Sequence, residues 1–290
     1  MPFQETSDGI KLYYRDWGAG APIVLIHGWP LSGDMWDKQA EYLASHGCRV
    51  ITYDRRGFGR SCQPWSGYDY DTFAADLHAL MEGLDLRDAF LVGFSMGGGE
   101  VARYLSRYGS QRVSKAALIS AVTPFLLATD DNPDGIPREE FTKMEAAIRE
   151  DRAAFMKDFA HKFYGRSLIS RGVSDAVLEW NQVVAMQASL RSTLAAAGAW
   201  SRTDFREDLR KMQVPTLVLH GTHDQTVPIE KSAMKAIRIL PQATYVEYDD
   251  EPHGLFFTAA DRLNDDLLHF ARSGTVQVRA KRVEAPAVLF

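Results

Sequence analysis

Short runs of apolar residues recur along the chain, each bounded by Gly, Pro or Asp, and predict buried strands. They cover residues 23–26, 50–53, 90–92, 116–119, 216–219 and 245–248. Several are continuously apolar rather than alternating, which is typical of parallel strands covered on both faces. Amphipathic stretches such as YDTFAADLHALMEGLDL separate them and predict helices. This alternation predicts an α/β fold, with a mostly parallel central sheet and helices on both faces.

The alternation stops between residues 124 and 209. This stretch shows no convincing strand, and its helical segments at 140–165 and 174–200 are rich in Phe, Met and Trp, which mostly indicates helical core. Strand character resumes at VPTLVLHG. We therefore predict one α/β core, formed by residues 1–123 and 210–272, that is interrupted by a helical cap at 124–209.

Residues 273–290 form a predicted C-terminal extension. Val276, Val278 and Ala280 alternate there with polar residues, so an added strand or a subunit contact is one interpretation. A disordered tail is the other.

Composition narrows the possible partners and location. The chain of 290 residues is 46% hydrophobic and 24% charged, with a formal net charge of −5, which argues against nucleic acid or anionic membrane as the main partner. Its two cysteines, Cys48 and Cys62, make neither a disulfide framework nor a tetrahedral metal set. We see no signal peptide and no apolar run of about 20 residues that could span a bilayer. These features predict a cytoplasmic protein.

The stretch GFSMG places a serine between a predicted strand and a predicted helix. Gly93-Phe94-Ser95-Met96-Gly97 fits the pattern G-x-S-x-G, in which the serine occupies a strained turn between small neighbours. Such a turn exposes the Ser95 hydroxyl at the carboxyl end of the strand, where the helix start directs backbone N–H groups towards it. An idle serine in a Gly-rich turn is the alternative, and the partners below argue against it.

A serine hydroxyl becomes a nucleophile only when a histidine takes its proton and an acid orients that histidine. In chain order the acid follows the serine and the histidine comes last. His253 lies in EPHGLFF, after the last predicted strand, and Asp224 lies directly after the strand at 216–219. His220 and His223 come too early to be the base. These positions predict Ser95, Asp224 and His253 as the catalytic residues.

An oxyanion needs hydrogen-bond donors close to the nucleophile. The residue after the serine, Met96, offers one backbone N–H, and the loop after the first predicted strand offers the second. That loop reads HGWPLSGDMW, so Trp29 is the predicted second donor, while His27 braces the loop by hydrogen bonding.

Pro30, Phe125, Phe159 and Val227 are predicted to line a small apolar substrate pocket that favours short acyl chains. Pro30 fixes its own φ and restricts Trp29 before it. It either pushes the Trp29 carbonyl towards a peroxide that attacks the acyl-enzyme, or it is a rigid turn residue with no chemical role. No metal or cofactor is predicted, because H-E-x-x-H, a cysteine cluster and a dinucleotide fingerprint are all missing from the sequence.

Together, HGWPLSGDMW, YDRRGFGRS, GFSMGGGE, HGTHDQTVP and EPHGLFF resemble the α/β-hydrolase superfamily. More narrowly, residues 3 to 272 resemble the cofactor-free, non-haem haloperoxidases or perhydrolases and the related aryl esterases. The resemblance implies a Ser95–Asp224–His253 triad, oxyanion donors at Trp29 and Met96, no cofactor and a homo-oligomer. It implies hydrolysis of small esters, and reaction of carboxylic acids with hydrogen peroxide to give peracids that oxidise halides. The serine disfavours dehalogenases and epoxide hydrolases, which place an aspartate at this position.

Two other functions stay open on the sequence. A lactonase or a γ-lactamase-like amidase would use the same triad on a cyclic substrate, and the lining of the cap would distinguish it. A non-catalytic ligand-binding protein could share the fold, although an intact triad argues against this.

Overall fold

A computed structural model describes residues 2–166 and 172–276, and its eight strands form one sheet. The strands are β1 (Phe3–Glu5), β2 (Lys11–Gly18), β3 (Ala21–Ile26), β4 (Cys48–Tyr53), β5 (Ala89–Phe94), β6 (Val113–Ile119), β7 (Thr216–Gly221) and β8 (Thr244–Tyr248). Their order across the sheet is β1-β2-β4-β3-β5-β6-β7-β8. Strands β3 to β8 are parallel, whereas β1 and β2 pair antiparallel at one edge.

Helices cover both faces of the sheet. They are α1 (Asp37–Ser45), α2 (Tyr70–Gly83), α3 (Met96–Tyr108), α4 (Arg138–Glu150), α5 (Arg152–Phe163), α6 (Asp175–Met186), α7 (Leu190–Arg202), α8 (Arg206–Arg210), α9 (Ala233–Ile239), α10 (Leu255–Thr258) and α11 (Ala260–Ser273). Alternate residues of β3 belong to two different apolar clusters. Ile23 and Leu25 belong to one, and Val24 and Ile26 to the other. This double burial explains the continuous apolar runs.

All six predicted strands lie within observed strands, whereas β1 and β2 were not predicted. In β2 only Leu12 and Tyr13 are buried, and the rest of the strand is half-buried or exposed. An edge strand of this kind carries a weak hydrophobic pattern, so it is stabilised by pairing with β4 rather than by a pattern of its own.

Helices α4 to α8 lie between β6 and β7, in the stretch predicted as a cap. Each long helical segment of the prediction is broken in two by a capping residue. The carboxylate of Asp151 accepts a hydrogen bond from Ala154 N at 2.9 Å and begins α5, and Ser189 Oγ accepts one from Ser192 N at 3.1 Å and begins α7. Helix α8 crosses the predicted boundary at residue 209 and is tied to α3 by Arg103 and Asp208 at 3.0 Å.

The C-terminal extension predicted at 273–290 begins where α11 ends, and from residue 277 onwards it lies outside the described residues. Within the described ranges, no helix combines the length and the apolar character needed to cross a membrane.

Candidate active site

Ser95 lies at the turn between β5 and α3, with φ 53° and ψ −115°. Such a backbone conformation is unfavourable for a residue that carries a side chain, so the surroundings must hold it in place. Gly93 and Gly97 make the turn possible. A Cβ on Gly93 would lie 2.3 Å from Gly97 O, and one on Gly97 would lie 2.4 Å from Ile26 O. Any larger residue at either position would push strand and helix apart.

The structure brings Ser95, His253 and Asp224 together at the carboxyl edge of the sheet. His253 Nε2 is 3.0 Å from Ser95 Oγ, and His253 Nδ1 is 2.6 Å from Asp224 Oδ2. The three residues are 6%, 1% and 5% exposed. They follow β5, β8 and β7, and parallel strands end at the same edge of a sheet. This is the geometry of a nucleophile, a base and an orienting acid.

Asp224 is held as a carboxylate. Burial alone would raise its pKa, but the electrostatic interaction with His253 and hydrogen bonds from His220 and His253 outweigh burial and keep the pKa below its usual range. Its Oδ1 also accepts hydrogen bonds from the backbone N–H groups of Thr226 at 2.9 Å and Val227 at 2.8 Å. A carboxylate beside Nδ1 keeps a proton on that nitrogen, which leaves Nε2 free to accept the proton of Ser95.

The two predicted oxyanion donors lie on the loops that flank Ser95. Met96 follows Ser95 directly, and the loop of Gly28 and Trp29 packs against it, since a Cβ on Gly28 would lie 3.0 Å from Ser95 Cβ. In the described part of the chain, neither the Trp29 N–H nor the Met96 N–H has a hydrogen-bond partner. Both groups can therefore stabilise a negative oxygen that forms next to Ser95.

His27 fixes the peptide that carries the Trp29 N–H. Burial, followed by the charge of Arg55, lowers the pKa of His27 well below 6.5, so the ring is neutral. Its Nε2 accepts a hydrogen bond from Arg55 N at 2.9 Å, so Nδ1 carries the proton and donates to Gly28 O at 2.9 Å. Gly28 O and Trp29 N–H belong to the same peptide group. The bracing role expected of His27 therefore acts on the orientation of this donor.

A buried ion pair connects this loop to the helix that follows Ser95. Arg55 donates from Nε to Glu100 Oε2 at 2.7 Å and from Nη2 to His27 O at 2.9 Å. The hydroxyl of Tyr53 donates to the other oxygen of Glu100. Both charged side chains are wholly buried. Sequence reasoning did not single out these residues, although a charged residue beside three glycines in GGGE was a signal that could have found them.

The side chain of Trp29 connects the loop after β3 to the helices predicted as a cap. Its Nε1 donates a hydrogen bond to Thr193 O in α7 at 3.0 Å. Its ring contacts Phe159 and Trp200, with centroids 5.4 Å and 5.8 Å away. The backbone of Trp29 thus belongs to the loop that packs against Ser95, while its indole contacts the helices α5 and α7.

A cavity of about 760 Å³ lies among α4, α5, α7 and the loop after Asp224, and Phe159 is part of its lining. Its apolar lining includes Phe141, Met144, Phe155 and Trp200, and its carboxylates are Glu140, Glu150, Asp151 and Asp158.

The other three predicted pocket residues do not line this cavity. The backbone N–H of Val227 donates a hydrogen bond to Asp224 Oδ1. Phe125 packs beneath the guanidinium of Arg206, 5.3 Å from its ring centroid, and Pro30 is buried in the loop behind Trp29. Ser95, Asp224 and His253 do not line this cavity either, so the substrate pocket predicted from the four residues stays a prediction.

His220 comes too early in the chain to be the predicted base, yet it contacts Asp224. Its Nε2 lies 3.1 Å from Asp224 Oδ2. In the sequence, only the spacing of four residues between His220 and Asp224 indicated that their side chains could meet.

Comparison with known proteins agrees with this arrangement. Residues 21–260 match the sequence profile of the alpha/beta hydrolase fold family. The chain belongs to the α/β-hydrolase family. This α/β-hydrolase is 49% identical to a putative non-haem chloroperoxidase from Synechocystis sp., over 93% of its own length and 99% of the relative. It is 42% identical to a bifunctional esterase/perhydrolase from Acinetobacter calcoaceticus, over 94% and 100% of the two chains.

Among solved structures, the α/β-hydrolase resembles a bromoperoxidase from Bacillus anthracis, with a TM-score of 0.89 and 44% identity over 93% of this chain and 98% of the other. The predicted fold class and the resemblance to the non-haem haloperoxidase branch are confirmed.

Proposed function

We propose that this α/β-hydrolase cleaves small carboxylic esters through an acyl-enzyme on Ser95, and that it forms peracids when hydrogen peroxide replaces water. One observation carries the proposal: the hydrogen-bonded series Ser95–His253–Asp224 lies beside two backbone N–H groups that have no other partner within the described residues. The names of the relatives, haloperoxidase and esterase/perhydrolase, support this reaction class.

In the acylation step, Ser95 Oγ attacks the ester carbonyl carbon while His253 Nε2 takes the hydroxyl proton. The carbonyl oxygen becomes negative and is stabilised by the N–H groups of Trp29 and Met96. Asp224 stabilises the imidazolium that forms. The tetrahedral intermediate then expels the alcohol, which takes its proton from His253, and the acyl group remains on Ser95.

In the second step, His253 removes a proton from the incoming water or hydrogen peroxide, which attacks the acyl-enzyme. Water gives a carboxylic acid, and hydrogen peroxide gives a peracid, with the proton returning to Ser95 in both cases. The peracid then oxidises a halide ion to hypohalous acid and is itself reduced to the carboxylic acid. Each step on the enzyme uses only side chains and backbone groups of this chain, so no cofactor is invoked.

Replacement of Ser95 by alanine tests the triad. With p-nitrophenyl acetate, the wild type should show a burst of p-nitrophenol followed by steady turnover, and Ser95→Ala should lose both, with kcat lower by about 10⁴-fold or more. Bromide oxidation with acetic acid and hydrogen peroxide, in which the acid acylates Ser95 and its hydroxyl leaves as water, should be lost in parallel. Ser45→Ala, at the exposed end of α1, is the matched control and should keep both activities. Unchanged turnover in Ser95→Ala would contradict the proposal.

We further propose a homo-oligomer, which the family resemblance implies, and a cytoplasmic location, which the composition predicts. Light scattering of the purified protein and cell fractionation would test these two points.

A further inference from the structure

His220 lies in β7, which pairs with the edge strand β8, and its side chain is wholly buried. Its Nε2 is 2.8 Å from Val227 O and 3.1 Å from Asp224 Oδ2. Asp224 is the acid of the proposed triad. A second histidine therefore contacts the same carboxylate oxygen that His253 contacts at 2.6 Å.

The surroundings determine the protonation of His220. A backbone carbonyl and an ionised carboxylate can only accept hydrogen bonds, so Nε2 must carry a proton. His220 Nδ1 is buried and has no hydrogen-bond partner within the described ranges. A proton on Nδ1 would be a second donor, buried and unsatisfied, which is unfavourable. The geometry thus favours a neutral ring that donates from Nε2.

Four N–H groups surround the Asp224 carboxylate. The backbone N–H groups of Thr226 and Val227 donate to Oδ1, and His253 Nδ1 donates to Oδ2. The single Nε2 proton of His220 is shared, because Nε2 is hydrogen-bonded to Val227 O at 2.8 Å and lies 3.1 Å from Oδ2. The backbone contacts restrain the plane of the carboxylate from the Oδ1 side, and His220 adds a contact on the Oδ2 side. A donor in this place takes up part of the negative charge that otherwise faces His253.

We propose that His220 is a positioning residue of the triad: a neutral donor that orients Asp224 Oδ2 towards His253 and takes up part of its charge. The inference rests on the proposed function, because it assumes that Ser95, His253 and Asp224 are the triad. Without the His220 donor, the carboxylate has one restraint fewer and twists more easily about its Cβ–Cγ bond, which slows proton transfer. Without this donor, more of the negative charge of Asp224 faces His253 and favours its imidazolium form. As the pH is lowered, activity is therefore lost earlier, at a higher pH than in the wild type.

Few other charged or ionisable groups lie close enough to His253 and Asp224 to affect the pH profile. His253 is covered by the rings of Phe94 and Phe163, each with its centroid 4.9 Å away, and these carry no charge. His223, on the same loop as Asp224, is exposed and pairs with Asp250 at 3.3 Å. At the end of β6, Ser120 adjoins β7 through a backbone hydrogen bond to Leu219 O and does not ionise.

Replacement of His220 by each of two amide side chains tests the proposal. The amide nitrogen of His220→Gln reaches about as far as Nε2 and keeps the donor, whereas that of His220→Asn ends near the position of Nδ1 and cannot reach Asp224. His223→Gln is the matched control. We would measure p-nitrophenyl acetate hydrolysis from about pH 5 to about pH 9, with the active-enzyme concentration taken from the burst.

His220→Gln and His223→Gln should stay within about twofold of wild type, with an unchanged pH profile. His220→Asn should lose about tenfold in kcat at an unchanged KM, the effect of one lost hydrogen bond to a charged group. The acid limb of its kcat/KM profile should move upwards by about half a pH unit.

Equal losses in the Gln and Asn variants would overturn the proposal, as would wild-type kinetics in His220→Asn. A lower kcat with an unmoved acid limb would also overturn it, because a purely packing role has that result. Failure of the triad itself would appear separately, as turnover that persists in Ser95→Ala.

Discussion

Replacing Glu100 by alanine should destabilise the protein more than any surface substitution. Glu100 and Arg55 are both wholly buried, and their Nε–Oε2 distance is 2.7 Å. In Glu100→Ala, the guanidinium would keep its hydrogen bond to His27 O and its place over the Phe73 ring but lose its counter-charge, and the hydroxyl of Tyr53 would lose its acceptor. An uncompensated buried charge of this kind costs about 3–5 kcal/mol in the free energy of unfolding.

Two further variants separate the cost of the unpaired charge from the cost of the lost volume and hydrogen bonds. Glu100→Gln keeps the volume and an acceptor for Tyr53 but removes the charge, so its cost should be smaller than that of alanine. The double variant Arg55→Met with Glu100→Leu removes both charges and should recover much of the stability. When Tyr53→Phe is added to remove the hydroxyl that would lose its acceptor, the remaining loss should be about 1–3 kcal/mol, because His27 O is left without a donor.

Urea unfolding, followed by the fluorescence of the six tryptophans, measures these differences. The matched control is Asp16→Ala, which breaks the exposed pair of Asp16 and Arg49 at 2.7 Å and should cost less than about 1 kcal/mol. A loss in Glu100→Ala as small as that of the control would refute the reasoning that the buried pair holds the oxyanion loop to α3.

Three more outcomes follow. The pKa of Asp224 is lowered in the folded state, so its stabilisation is present above about pH 4 and is lost as the pH falls further. The difference in unfolding free energy between wild type and Asp224→Asn should be constant from about pH 6 to about pH 4.5 and shrink from about pH 4 to about pH 2, and a difference that stays constant below about pH 4 would contradict this. Trp29→Phe removes the donor to Thr193 O, so amide exchange at the start of α7 should accelerate, with KM raised more than kcat is lowered; unchanged exchange would show that the cap does not depend on this bond. Pro30→Leu should lower the ratio of perhydrolysis to hydrolysis on one acyl donor, by several-fold if one hydrogen bond of about 1 kcal/mol is lost; an equal ratio would make Pro30 a turn residue only.

Local physical constraints made much of this molecule predictable. Strands buried on both faces need continuous apolar runs, so β3 to β8 were found from the sequence. The turn at Ser95 needs small neighbours because strand and helix touch there, and this requirement appears as Gly93 and Gly97. Ser95, Asp224 and His253 were predicted from their places after strands, since parallel strands bring their carboxyl ends to one edge.

Other features have no local signature. The edge strands β1 and β2 are stabilised by pairing rather than by their own hydrophobic pattern. The predicted pocket residue Phe159 reaches the cavity, whereas Phe125 packs beneath Arg206, and nothing near either phenylalanine in the sequence distinguishes them.

The sequence by itself determined which groups could do chemistry, because the nucleophile turn and the strand ends are constrained by neighbours along the chain. Only the tertiary structure decided which groups support them. Arg55 and Glu100 are 45 residues apart and form one buried pair, and His220 meets the carboxylate that His253 reaches from another strand. A buried polar group is stable only beside a partner of complementary charge or hydrogen bonding, and that partner is supplied by the packing of distant segments.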